Sequence, residues 1–67
     1  MRTSGTIKKL VDSKGYGFVE DDDTATDHFF HMSDCRTFKS LREGHRVSYI
    51  PMTTPKGARA ADVAIAD

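Results

Sequence analysis

The sequence is poor in what a secreted, membrane-spanning or catalytic protein needs. It has one cysteine, Cys35, so no internal disulfide can form. A lone thiol is the usage of a reducing compartment. No stretch approaches the roughly 20 apolar residues of a membrane span. The opening MRTSGTIKKL lacks the long apolar region of a signal peptide. Cytoplasmic residence is the expectation. Net charge is missing too, with ten Lys and Arg against ten Asp and Glu, so only the placement of charge can point to a partner. Paired carboxylates suited to acid–base work, a credible triad and the phosphate-loop pattern G-x-x-x-x-G-K-[ST] are all lacking, and no enzyme is expected. With 67 residues, positions 1–67 are expected to form one domain. A chain of that size buries only about 60% of its unfolded surface.

What is present alternates with a period of two. GTIKKLV (5–11), GYGFVE (15–20), DHFFHM (27–32), RVSYIPM (46–52) and ARAADVAIAD (58–67) read as strands. The last is rich in alanine, but β-branched Val63 and Ile65 alternate with Ala64 and Ala66. DSKG (12–15) and TTPKG (53–57) are turn signals, and DDDTAT (21–26) is a polar loop. Ser33 is a plausible cap for a single helical turn within residues 33–45, and Pro51 marks a strand end or edge. Five short strands without a long helix predict an all-β fold, a small five-stranded antiparallel barrel of the oligonucleotide-binding type.

Within that frame KGYGFV (14–19) is unusual. Glycine weakens a strand and offers nothing to pack, yet Gly15 and Gly17 alternate with large rings. Alternation puts Tyr16 and Phe18 on one face, and Phe29 and His31 on one face of the next strand, with His28 and Phe30 opposite. If the two strands pair, four flat side chains form one cluster. It is either core, since aromatics pair well across strands, or a stacking platform for unpaired bases. Pattern alone does not separate the two. Lys8 and Lys14 at the rim, and a polar His31, tilt the reading to the platform. The glycines are then expected to give the barrel room to bend.

These residues also resemble a known family. KGYGFV is similar to the first ribonucleoprotein motif, and HFFHM (28–32) to the second in its cold-shock form. GTIKKL, FKSLREGHRVSY (38–49) and KGARAADV (56–63) fit the same framework, so that residues 5 to about 63 resemble a bacterial cold-shock protein. The RNA-recognition module carries the first motif after a strand, a helix and another strand, and Lys14 comes too early for that. The resemblance implies a five-stranded oligonucleotide-binding barrel that binds single-stranded RNA or DNA with low sequence preference. It further implies melting of RNA secondary structure without ATP, and roles in regulating transcription or translation under stress. Its surface positions fall on Lys8, Lys9, Leu10, Tyr16, Phe18, Phe29, His31, Met32 and Phe38. Lys14 and Lys39 flank the motifs, and Lys56 and Arg59 supply further positive charge. Phe38 is expected as an exposed, movable stacking arm.

The chain departs from the family at three stacking positions. The family's KWF is KKL here, so a tryptophan has become Lys9 and a phenylalanine Leu10, and a further phenylalanine has become Met32. Weaker, more salt-sensitive binding is expected, because lysine contacts phosphate rather than stacking. His28 falls where the family has a core-facing valine, and is expected to be paired or partly exposed. The alternative function is a protein-interaction module of the same fold with weakened nucleic-acid binding. His28, His31 and Cys35 have the spacing H-x2-H-x3-C, but His28 and His31 should face opposite sides of a strand, and no metal or cofactor is expected. Cys35 is expected to be a partly buried structural thiol. The acidic run from Glu20 to Asp23 reads as a solvated loop that would repel phosphates if it lay near the rings. A monomer is expected.

Overall fold

A computed structural model describes residues 2–66. Five strands, β1 (Thr3–Val11), β2 (Tyr16–Asp21), β3 (Asp27–His31), β4 (Arg46–Thr54) and β5 (Gly57–Ile65), close into a barrel in the order β1-β2-β3-β5-β4. Short 3₁₀ turns at Met32–Asp34 and Phe38–Ser40 lie between β3 and β4. Four of the neighbouring pairs are antiparallel, and β3 with β5 is parallel. The expected five-stranded barrel is thus antiparallel at every seam but this one, for a topological reason. Strand direction cannot alternate without a break around a closed ring of five.

The period-two pattern delivers the core. Ile7, Val19, Phe30, Val47, Tyr49, Ala60 and Val63 point inward from the strands, and Cys35, Phe38 and Leu41 close the barrel from the connecting segment. Those last three are spaced by three, the period of a 3₁₀ helix, so successive turns aim them at the same side. The first turn is capped by His31 rather than Ser33. The Ser33 amide donates to His31 Nδ1 at 3.2 Å, and Asp34 Oδ2 accepts from the His31 amide at 3.1 Å. Met32 therefore belongs to the turn and not to β3.

The two glycines beside the rings have separate causes. Gly15 has φ +73°, a left-handed conformation that closes the β1–β2 turn. Gly17 sits where β1 crosses closely, and a Cβ there would lie 2.7 Å from the Lys9 carbonyl oxygen and 3.0 Å from the Phe30 ring. So Gly17 is a close-approach position.

β5 does not alternate to its end. Ala60 and Val63, an odd number of positions apart, both face inward, while Ile65 is exposed. The register against β4 shifts between Ser48 and Ile50, and Asp62 has φ +50°. This is a bulge, with an extra residue on β5 that reverses the faces. Arg2 holds it. Its guanidinium donates to the Asp62 carbonyl at 2.6 Å, to Asp62 Oδ2 at 2.7 Å and to the Ser48 carbonyl at 3.0 Å. Pro51 pairs with Ala60 beyond the Arg46–Tyr49 stretch that meets β1, so it occupies an open strand edge as its missing N–H requires.

His28 is buried (7% exposed) and paired. Its Nδ1 lies 3.2 Å from the Thr26 carbonyl, and its ring packs on Tyr49 with centroids 5.1 Å apart. Tyr49 in turn donates its hydroxyl to Asp21 Oδ2 at 2.9 Å. The Tyr49 hydrogen bond, then the Asp23 and Thr24 amides, hold the Asp21 carboxyl below its ordinary value. Burial, then the Asp21 carboxylate, push the Tyr49 phenol well above its own. A carboxyl depressed by folding adds stability above its unfolded value, about 4, and loses it as pH falls through the folded value. A phenol raised by folding adds stability below about 10 and loses it as pH rises toward the folded value. Tyr49→Phe is expected to lower the urea midpoint at pH 7, with a smaller gap to the parent at strongly acid pH, once the Asp21 carboxylate takes up its proton. Parallel urea titrations at the two pH values check this, and an equal gap at both would refute the linkage.

Candidate nucleic-acid interface

β2 and β3 pair with Tyr16 opposite His31 and Phe18 opposite Phe29. Their inward residues are Val19, His28 and Phe30, so the other face carries the remaining rings outward. Tyr16, Phe18 and Phe29 are half-buried and mutually in contact. Tyr16 and Phe29 lie 5.7 Å apart with planes 31° apart, and Phe18 meets each of them edge-on at 6.0 and 5.9 Å. The buried rings are a separate set, Phe30, Phe38 and Tyr49. The chain thus has two aromatic layers, one in the core and one on the surface. Contacts between outward rings hold each other's planes, leaving one face of the patch for a ligand.

His31 is exposed at the end of this patch. Because the Ser33 amide donates to Nδ1, the ring proton of the neutral form sits on Nε2 and remains available as a donor. Met32 is 47% exposed beside it. Its side chain also closes over the Gly15 turn, where an added Cβ would lie 2.7 Å from the Met32 sulfur.

The other expected positions divide. A bulge in β1 between Ile7 and Lys9 turns both Lys8 and Lys9 to the surface beside Phe18. Lys8 pairs with Asp27 at 3.2 Å. Leu10 is half-buried, packing one side on the core and leaving the rest at the surface. Its amide donates to Glu43 Oε2 at 3.1 Å. Phe38 is the clear correction. It is 7% exposed and packs against Phe30, centroids 6.1 Å apart, and is no exposed arm. A chain this small needs the ring inside, and the three-residue spacing of Cys35, Phe38 and Leu41 was the available signal. Lys14 and Lys39 are exposed on the Gly15 turn and the second 3₁₀ turn.

The β4–β5 hairpin completes the site. Thr54, Pro55, Lys56, Gly57, Ala58 and Arg59 form one wall of a groove whose other wall is Phe18 and Phe29. Sequence reading missed Thr54, Pro55 and Ala58 because only barrel closure brings that turn over the rings. Arg59 is the partner of Phe29 across the parallel seam; its guanidinium carbon lies 5.6 Å from the ring centroid, and Nη2 donates to Asp34 Oδ2 at 2.8 Å. Asp34 is a further residue that sequence reading did not assign to the site.

The acidic run is largely directed elsewhere. Asp21 accepts from Tyr49, and Asp22 pairs with Arg46. Glu20 shares the outward face of β2 and stands opposite Asp27, so one end of the aromatic patch is acidic. The other end, at Tyr16 and His31, is not. The spaced His28, His31 and Cys35 are not brought together, since His28 and Cys35 are buried and His31 faces out. No helix is long and apolar enough to cross a membrane among the described residues.

Comparison with known proteins agrees with this geometry. The "Cold-shock" DNA-binding domain matches residues 3–66. A cold shock-like protein of Aquifex aeolicus is 37% identical over 67 residues, covering 97% of this chain and 96% of that one. The major cold shock protein of Micrococcus luteus is 41% identical over 61 residues, covering 88% and 91%. Among solved structures, Drosophila Unr CSD456 superposes on all of this chain and 27% of its own, with a TM-score of 0.82 at 20% identity, which is a likeness of fold. The match across nearly the whole sequence, and the barrel that carries its rings outward, place this chain in the cold-shock DNA-binding domain family.

Proposed function

We propose that the chain binds single-stranded RNA or DNA across the Tyr16–Phe18–Phe29 patch and acts as a passive RNA chaperone in the cytoplasm, as a monomer. The observation that carries this is the outward aromatic layer, half-buried and flanked by Lys9, Lys14 and Lys56. Bases stack on such rings with little regard for identity, and lysines hold the phosphates. The mechanism is mass action. A ligand that binds the open strand and not the duplex stabilises the open strand by RT ln(1 + [L]/Kd), about 2.7 kcal/mol at a hundred times Kd, so helices of marginal stability melt without ATP. No bond is made or broken. Transcription or translation would respond where a hairpin in the transcript controls them.

Ion pairing adjusts the expected salt response. Lys8 and Arg59 already face Asp27 and Asp34, so a phosphate that takes either cation releases a carboxylate. Lys9, Lys14 and Lys56 are left as the main net contributors. With about three phosphates neutralised on a single strand, log Kobs is expected to fall with log[salt] at a slope of roughly −2. NMR titrations with matched RNA and DNA heptamers from low to moderate salt measure both slope and site. Shifts at Tyr16, Phe18 and His31 are the expected result. Unmoved signals at low salt would favour instead a protein-docking role, to which Leu10 and the exposed Met32 are suited. Tight binding that ignores salt would show that the lysines do not hold phosphate.

A further inference from the structure

We propose that Arg59 reads a guanine stacked on Phe29, so that this barrel prefers a single-stranded segment containing guanine over one containing only uracil or adenine. This rests on the single-strand reading above and adds a base preference to it.

Arg59 is placed by backbone pairing, because it is the residue opposite Phe29 across the β3–β5 seam. Its side chain is then fixed by the ion pair to Asp34, whose carboxylate is itself held by the His31 amide. The guanidinium carbon is 5.6 Å from the Phe29 centroid, farther than the roughly 3.5–4.0 Å of atoms in direct contact. It lies over the ring without being stacked squarely on it, so a base lying on Phe29 has its edge within reach of the free guanidinium donors. The groove between Phe29 and the Pro55–Lys56 wall leaves room for such a base.

The chemistry of the edge then selects. Asp34 takes a hydrogen bond from Nη2 only, and a guanidinium has five donors and no acceptor. Its free donors seek two adjacent acceptors, which guanine offers at O6 and N7. Adenine puts an amino donor beside N7, and uracil and thymine place an N–H between their carbonyls. Cytosine has an adjacent acceptor pair at O2 and N3, but its smaller face covers less of Phe29 than a purine does. Lysine could not replace the fork, since an ammonium is a point charge without a plane.

The test uses heptauridine with its central base replaced by guanine, adenine, cytosine or 7-deazaguanine, which lacks the N7 acceptor. Affinities are measured by NMR or fluorescence titration. Guanine is expected to bind about tenfold more tightly than adenine. That ratio should fall below about twofold with 7-deazaguanine in the unaltered protein, and likewise in Arg59→Lys. Asp34→Asn should shrink it by releasing the fork from its anchor. The 7-deazaguanine arm needs no variant to fold. Equal binding of guanine and adenine, an advantage for cytosine, or a ratio that survives Arg59→Lys overturns the proposal while leaving single-strand binding intact. Failure of every oligomer to bind at low salt overturns both.

Discussion

Phe29→Ala is expected to weaken single-strand binding by about ten- to a hundredfold while the barrel stays folded. The ring touches Tyr16 and Phe18 and lies opposite Arg59, so its loss removes one stacking surface and loosens two others. Stacking contributes roughly 1–3 kcal/mol per base, and each 1.4 kcal/mol is a factor of ten. Phe18→Ala should cost somewhat less, because that ring meets its neighbours by the edge. The double variant should lose less than the product of the single effects, since the rings are in contact and share a ligand. Both positions are half-buried, so thermal unfolding should move far less than affinity. Titration with a pyrimidine heptamer, beside a melting curve for each variant, separates the two quantities. Unchanged affinity in Phe29→Ala would remove the outward rings from the binding surface and with them the proposed function.

Phe38→Ala is expected to do the opposite. The ring is buried on Phe30 beneath the second 3₁₀ turn, and truncating a buried phenylalanine costs about 3–5 kcal/mol. Native domains are stable by only about 5–15 kcal/mol, and one this small belongs at the lower end. A large part of the population should therefore be unfolded near 37 °C, with the remainder binding oligonucleotide nearly as the parent does. If Phe38 were instead a mobile arm, the melting temperature would hold and affinity would drop. Urea unfolding and titration at low temperature distinguish these outcomes in one pair of experiments.

Phe38 also marks where the sequence was readable and where it was not. Strand positions declared themselves, because a period of two is visible wherever Ile7, Val19, Phe30 and Val47 alternate with polar or outward residues. The outward rings were legible as a group, since pairing Phe18 with Phe29 follows from one short hairpin loop. The closed barrel was legible from strand count and spacing. Three features were hidden. Phe38 lies in a segment with no period of two, and its partner Phe30 is fixed only in three dimensions. The Asp62 bulge breaks the alternation between Ala60 and Val63, and nothing local announces it until Arg2 is seen bound to Asp62. The wall of Thr54, Pro55 and Ala58 reaches the rings only when β5 docks beside β3. Long-range placement, rather than residue type, is what pattern reading could not supply.

The unequal seam between β3 and β5 has one more consequence. Among the described residues its register runs through the single pairing of Phe29 with Arg59, and the Asp34 ion pair braces it from the side. The other neighbours are laced by longer ladders, so this joint is the fault line along which the cylinder should part when it breathes. Amides flanking it should exchange with deuterium earlier than those of the β1–β2 hairpin. A nucleotide that takes the free donors of Arg59 leaves the brace in place and bridges the same joint with its own contacts. Occupancy would then be felt as slower breathing of the whole cylinder, and the grip on a strand and the integrity of the fold would rise and fall together.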